Sequence, residues 1–361
     1  MGKQKFHRLV AAAAVLSLVA AACGSEVEVA VADAVEVPAD APTIAVTTNI
    51  LGDVVQNIVG DLANVETIMP VGADPHDFQA SAQQVALVGD ADALVINGAF
   101  FEEGIWDVIE AATGDGVNVF HAIDEVSTIE FAEGDSHGHE GEEEGDVHDD
   151  EEEEGEEHDD EEEEGDEHDD HDEEAGDGHG HEEGGADPHF FTDPVRMADA
   201  VEGITAFLAS TVDGLDAEAL QANADAYVAE LVALDAEVTE TLSGLSDEQR
   251  VLITNHEVFG YFAEQYDFEV VGTVIPSGST LDGASGGDLA ELAEEIEHEG
   301  VAAIFSDVSA SDQLISALAG EVGDVDVVEL YTESLGEEGS EGATYIGMVR
   351  TNANRISAAL G

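Results

Sequence analysis

Between residues 216 and 242 the apolar residues Leu220, Ala224, Tyr227, Leu231, Leu234 and Val238 recur at three- and four-residue steps. That spacing puts them on one face of a helix, and at about 1.5 Å per residue the segment spans roughly 40 Å. Such a helix runs the length of a domain, so the chain before it and the chain after it are expected to form two lobes. Both flanks alternate short β-rich runs with helical patterns. Before the helix, strands are expected at 43–47, 65–69, 93–97 and 117–121, with helices at 50–59, 81–88, 104–112 and 194–210. After it, strands are expected at 250–254, 269–275, 302–307 and 325–331, with helices at 257–265, 288–299, 311–319 and 344–360. This alternation implies parallel sheets covered by helices. The expected fold class is α/β, with two lobes that each hold a mainly parallel sheet flanked by helices. A single long rigid helix at 213–245 joins the N-terminal lobe (43–212) to the C-terminal lobe (246–361).

One stretch inside the first lobe cannot contribute to a core. Residues 133–185 are almost wholly His, Asp, Glu and Gly, and a decapeptide beginning at Gly145 recurs from Gly155 and, degenerated, from Gly165. Short acidic repeats with glycine are expected to stay solvated and disordered. The tract nevertheless carries His137, His139, His148, His158, His168, His171, His179 and His181 among its carboxylates. Its plain role is a solvated spacer. Its functional reading is weak, multiple metal binding.

The chain opens with Lys3, Lys5 and Arg8, an apolar run from Leu9 to Ala22, and then Cys23. A basic start followed by about 14 apolar residues reads as a secretory signal over 1–22, too short to span a bilayer comfortably. Cys23 is the only cysteine, so no intrachain disulfide is possible. It follows three alanines, in a pattern that resembles a bacterial lipobox with Cys23 as the lipidated residue. Residues 23–42 then read as a tether between membrane and folded body.

The formal charge is −79, from 86 acidic against 7 basic residues. A surface of this sign repels nucleic acid and anionic substrates and attracts cations. Saline surroundings, in which salt screens self-repulsion, account for the acidity of the folded body.

Three histidines stand in separate settings that suit a cation site. His76 sits in Gly72-Ala73-Asp74-Pro75-His76-Asp77-Phe78, and His189 in Asp187-Pro188-His189-Phe190-Phe191-Thr192-Asp193-Pro194. His256 sits in Thr254-Asn255-His256-Glu257-Val258-Phe259-Gly260-Tyr261-Phe262. Tyr331-Thr332-Glu333-Ser334-Leu335 adds a carboxylate beyond the last expected strand. Each candidate follows a strand's C-terminal side, where open α/β sheets gather their ligands. His121 and His298 belong to no such motif and are expected to be structural or surface residues. Glu257 is expected to face solvent, with hydrogen bonding to a metal ligand as its alternative role. Trp106, Phe100 and Phe101 are expected to be packing residues.

These motifs, with Pro276-Ser277-Gly278-Ser279-Thr280 and Gly286-Gly287-Asp288-Leu289 beyond them, resemble the zinc/manganese solute-binding lipoproteins of bacterial metal ABC transporters, zinc-uptake type. The resemblance runs from Ile44 to Ile356. It implies four metal ligands, His76 and His189 from the first lobe and His256 and Glu333 from the second. Family members commonly carry Asp at the fourth position, so Glu333 is a departure. The third position is commonly a carboxylate in manganese members, so His256 implies zinc. Three imidazoles and one carboxylate form a tetrahedral set suited to Zn(II), with bonds of about 2.0–2.2 Å. Mn(II) favours more oxygen ligands, while Cu(II) and Ni(II) would also bind such nitrogens in vitro.

The implied function is extracytoplasmic capture of Zn(II) between lobes and its delivery to an ABC-type permease and its ATPase. The implied protein is a monomer held at the outer face of the membrane by Cys23. Affinity is expected to fall as histidines protonate below about pH 6.5. The alternatives are a manganese-binding homologue, an adhesin, a metal buffer without a permease and, in a different class, a zinc hydrolase or hydratase. Against an enzyme, Glu333 would close the fourth metal position, and neither a nucleophile elbow nor an HExxH motif occurs.

Overall fold

The computed structural model describes residues 41–131, 185–309, 313–323 and 325–361. The expected signal segment, Cys23, nearly all of the tether and the eight tract histidines from His137 to His181 lie outside the described residues.

The first lobe is a four-stranded parallel sheet of β1 (Thr43–Val46), β2 (Asn64–Thr67), β3 (Ala93–Ile96) and β4 (Val119–His121). Its spatial order is β2-β1-β3-β4. Helices α1 (Asn49–Val59), α2 (Ala82–Asp90), α3 (Trp106–Asp115) and α4 (Pro194–Thr211) belong to it. The second lobe repeats the plan. Strands β5 (Val251–Thr254), β6 (Glu269–Thr273), β7 (Ala303–Asp307) and β8 (Asp326–Leu330) pair in parallel in the order β6-β5-β7-β8. Its helices are α6 (Gly260–Tyr266), α7 (Gly286–Glu299), α8 (Gln313–Val322) and α9 (Tyr345–Leu360). In each sheet the chain reverses its direction of travel beside the first strand, between β1 and β3 and again between β5 and β7. Such switch points open a crevice at the strands' C-terminal ends.

Helix α5 (Ala217–Leu242) is the spine between the lobes. Its side chain-accepting N-cap is Asp216, which takes the amides of Glu218 and Ala219. The stripe expected from the sequence is buried throughout, with Leu242 extending it. It packs on α1 and α4 of the first lobe and on α9 of the second, and all of these belong to one continuous core. Two smaller cores cover the other face of each sheet, one built around Leu94, Ile96 and Ile109, the other around Ile253, Ile304 and Leu318. Among the described residues no helix is long and apolar enough to cross a membrane.

Several boundaries differ from the sequence expectation, three of them for a clear local reason. Helix α6 starts at Gly260 rather than at residue 257, because Glu257 gives its amide to Ser277 instead of entering the helix. Helix α7 starts two residues early, where Ser285 and Asp288 form a reciprocal capping box. Before α3 the chain first makes a short 3-10 turn, Glu103–Ile105. Gly104 leaves room there for the Phe78 carbonyl, which a Cβ would meet at 2.2 Å.

Candidate metal centre

Two identical triplets shape the first-lobe side of the crevice. In Asp74-Pro75-His76 the Asp74 Oδ1 accepts the His76 amide at 2.9 Å. In Asp187-Pro188-His189 the Asp187 Oδ1 accepts the His189 amide at 2.9 Å. An aspartate that bonds the backbone two residues on makes a tight turn, and the intervening proline fixes φ. The triplet is therefore a rigid bracket that projects its histidine.

On the second-lobe side, His256 follows β5, where the Thr254 hydroxyl donates to the His256 carbonyl at 2.7 Å. Glu333 follows β8. Its loop is tied to the first lobe next door. The Ser334 hydroxyl accepts the Gly72 amide at 2.7 Å, and Asn49 Oδ1 accepts the Leu335 amide at 2.7 Å.

These four side chains converge. Glu333 Oε1 lies 2.9 Å from His76 Nε2, 3.1 Å from His256 Nε2 and 3.5 Å from His189 Nε2. The three rings stand 5.4–6.1 Å apart, and all four residues are at most 1% exposed. One donor atom from each lies within 4.8 Å of all the others. Ligand atoms on a tetrahedral Zn(II) stand about 3.3 Å apart, given bonds near 2.05 Å. The three distances from Glu333 Oε1 to the imidazole Nε2 atoms, 2.9–3.5 Å, bracket that spacing.

The surroundings fix the ring orientations. Glu103 Oε1 lies 2.9 Å from His76 Nδ1, and Asp187 Oδ1 lies 2.7 Å from His189 Nδ1. A carboxylate on Nδ1 leaves Nε2 as the free ligand atom. The Phe101 ring packs edge-on against His76 at 5.2 Å and His189 at 5.5 Å. Phe101 thus packs, as expected, but against the candidate ligands themselves. The loop that presents it is anchored by buried Glu102, whose carboxylate accepts the Thr47 hydroxyl and the Asn97 and Gly98 amides. Burial pushes the Glu102 carboxyl up, against those hydrogen bonds.

The electrostatics of the cluster are shared. Burial opposes charge on His76, but the Glu333, Glu103 and Asp74 carboxylates outweigh it and push the group up to about 10. His189 is raised in the same way, burial being outweighed by Asp187 and Glu333. Burial would raise Glu333, yet His256, His76 and His189 hold it well below the usual carboxylate range. Three buried atoms of the cluster, Glu333 Oε2, His256 Nδ1 and His189 Nε2, have no hydrogen-bond partner among the described residues.

The remaining candidates are placed as follows. Glu257 is half-buried rather than solvent-facing, and burial and the nearby Asp187 raise its carboxyl. It is not the partner of His256 Nδ1. His121 packs against Trp106 with ring centroids 6.3 Å apart. His298 is exposed and pairs with its neighbour Glu299. Trp106 packs on Phe100 with centroids 4.6 Å apart. The sequence reasoning missed Glu103, which stands 27 residues from His76 and shares no motif with it, and it read Phe101 as packing without placing it against the histidines. It also passed over Asp307, a buried carboxylate ending β7, raised by burial and by Glu333. Its position at a strand's C-terminal end was the available signal.

A family model described as zinc-uptake complex component A, periplasmic, matches residues 44–359. The zinc-binding protein TroA of Treponema pallidum is 29% identical over 328 residues, covering 88% of this chain and 89% of that protein. The manganese-binding lipoprotein MntA of Halalkalibacterium halodurans is 26% identical over 347 residues, covering 96% of each. The solved structure of the periplasmic zinc-binding protein TroA from Treponema pallidum superposes with a TM-score of 0.70 at 26% identity. It covers 89% of this chain and 99% of that one.

Proposed function

The chain belongs to the family of periplasmic zinc-uptake complex A components, and from that membership and the buried donor cluster we propose that it captures Zn(II) between its lobes. It works outside the cytoplasm and hands the ion to an ABC-type permease with its ATPase. The ligands in this reading are His76, His189, His256 and Glu333. The observation that carries it is the convergence of three Nε2 atoms on one carboxylate oxygen, 2.9–3.5 Å away.

Zinc is favoured by the three-nitrogen, one-oxygen composition of the set. The second reading, Mn(II), is supported by the unpartnered Glu333 Oε2, since bidentate coordination would give the harder ion an additional oxygen. Transport rather than catalysis is favoured because Glu333 fills the fourth position and the donors are buried, which leaves no open site for a reacting water. The chain acts as a monomer and is anchored by lipid on Cys23. The histidines of residues 133–185 bind additional metal weakly and raise its local concentration. Deleting that tract should remove weak equivalents and leave the tight one, and a single equivalent with or without the tract would refute this role.

The central test is competitive titration of the full chain with Zn(II) and Mn(II), beside His256→Ala. One tight zinc equivalent that the substitution weakens strongly, with poor manganese binding, is the expected result. Preferential manganese binding would overturn the choice of metal, and zinc binding indifferent to His256 would overturn the site.

A further inference from the structure

Both Asp-Pro-His brackets of the first lobe are gripped by a hydroxyl from the second. The Thr280 hydroxyl, in the loop after β6, donates to Asp74 Oδ2 at 2.6 Å. The other oxygen of that carboxylate holds the His76 amide. The Tyr261 hydroxyl, on α6, donates to the Asp187 carbonyl at 2.6 Å and accepts the Ile129 amide at 3.3 Å. Asp187 in turn holds both the amide and Nδ1 of His189. We infer that Thr280 and Tyr261 are positioning residues, a pair of cross-lobe latches that set the two first-lobe ligands only while the lobes are together. This inference rests on the metal-capture reading of the site.

The Tyr261 latch is itself braced. The ring is fully buried, and the Arg196 guanidinium lies over it, 4.7 Å from the centroid. Arg196 reaches across the lobes as well, from Asp193 at 2.7 Å to Glu264 on α6 at 2.9 Å, and bonds the Ser127 carbonyl at 2.8 Å. At Gly260 the α6 backbone comes so close to Asp187 that a Cβ would stand 2.7 Å from its Oδ2. Helix α6 is therefore pressed onto the His189 bracket, with the hydroxyl bond as its directional part.

The two hydroxyl latches act on the first-lobe ligands, whereas the Glu333 loop is tied to the first lobe through Ser334 and Leu335. Asp74 and Asp187, which accept the His76 and His189 amides, are themselves held from the second lobe, Asp74 by its carboxylate and Asp187 by its backbone carbonyl. His256 Nδ1 has no partner among the described residues. Separating the lobes would break the Thr280 and Tyr261 bonds in the same motion that pulls His256 and Glu333 from the ion. Ligand alignment and lobe closure would then be lost together, which makes release abrupt rather than gradual.

The test measures zinc dissociation from the full chain into excess chelator for Thr280→Val, Thr280→Ser and Tyr261→Phe. None of these changes a ligand; Thr280→Val and Tyr261→Phe nearly preserve volume, and Thr280→Ser removes one methyl but keeps the hydroxyl. Loss of one such hydrogen bond should speed release by about three- to thirtyfold, more for the bond to the Asp74 carboxylate. Thr280→Ser should restore the rate to within about twofold, because it keeps the donor. The metal-free melting temperature should change little between Thr280→Val and Thr280→Ser. Visible spectra of the Co(II) form should show the same ligand set in all three.

Release from Thr280→Val and Tyr261→Phe within twofold of the unsubstituted chain overturns the latch, as does equal acceleration by Thr280→Ser and Thr280→Val. If Tyr261→Phe fails to fold, the Thr280 pair decides alone. Failure of the unsubstituted chain to retain zinc overturns the capture reading and the latch with it. Normal retention with unchanged release overturns the latch alone.

Discussion

Zinc capture should displace protons from this site well above the pH at which free imidazoles are already neutral. The perturbation is pH itself, and the group that decides the outcome is His76, raised to about 10 by Glu333, Glu103 and Asp74. At pH 7 such a group keeps its proton in all but about one molecule in a thousand, so zinc must outcompete it at a penalty of about a thousandfold. The apparent affinity should then rise about tenfold per pH unit from near 6.5 towards 10, and more steeply if His189, also raised, gives up a proton too. Three imidazoles titrating near 6.5 would instead release only about 0.3 proton in total at pH 7.5, and affinity would level off above pH 7. That dependence would extend to higher pH the fall in affinity expected below about pH 6.5 from ordinary imidazoles.

The assay is calorimetry at pH 7.5 in buffers of different ionisation enthalpy, which counts protons directly, together with chelator competition at pH 7 and 9. At least about one proton and a change in affinity of about a hundredfold between the two pH values are expected. The metal-free fold should move in the opposite direction. A histidine raised in the folded state stabilises it fully below its unfolded value of 6.5, and that contribution is lost as pH climbs through about 10. The metal-free melting temperature should therefore fall over the range in which zinc affinity rises. Release of less than about 0.3 proton, with affinity flat above pH 7.5, would refute the raised His76 on which this reasoning rests.

Three further outcomes follow from the same contacts. Glu103→Gln removes the carboxylate behind His76 Nδ1 and should weaken zinc binding about tenfold or more at pH 9, measured by chelator competition. An unchanged constant would show that Glu103 does not aim the ring. Gly260→Ala places a methyl 2.7 Å from Asp187 Oδ2, so the His189 bracket must shift, and both metal affinity and melting temperature should drop. Leu231→Ala opens a cavity in the fully buried stripe of α5 and should cost about 2–5 kcal/mol in denaturant unfolding without changing the zinc stoichiometry. A cost below about 1 kcal/mol would mean that the spine is not packed as described.

The sequence by itself determined the lobes, the spine and the brackets, because each is written in neighbouring residues. A helical stripe from Leu220 to Val238 needs only its own periodicity, and the strands and helices on either side need only theirs. An Asp-Pro-His turn closes over three residues, so its shape at His76 and His189 was legible before any packing was known. Local chemistry also misled where a distant partner intervened. The start of α6 was misjudged because Ser277 takes the Glu257 amide, twenty residues away.

What only the tertiary structure decided is the contact between those brackets and everything far from them. Glu103 reaches His76, Thr280 reaches Asp74, and Tyr261 reaches the carbonyl of Asp187. The Glu333 carboxylate meets three imidazoles drawn from two lobes. None of these pairs shares a period, a turn or a motif. They meet because two sheets place their switch points face to face around one helix, and that arrangement is fixed by burial of the common core rather than by any local run of residues.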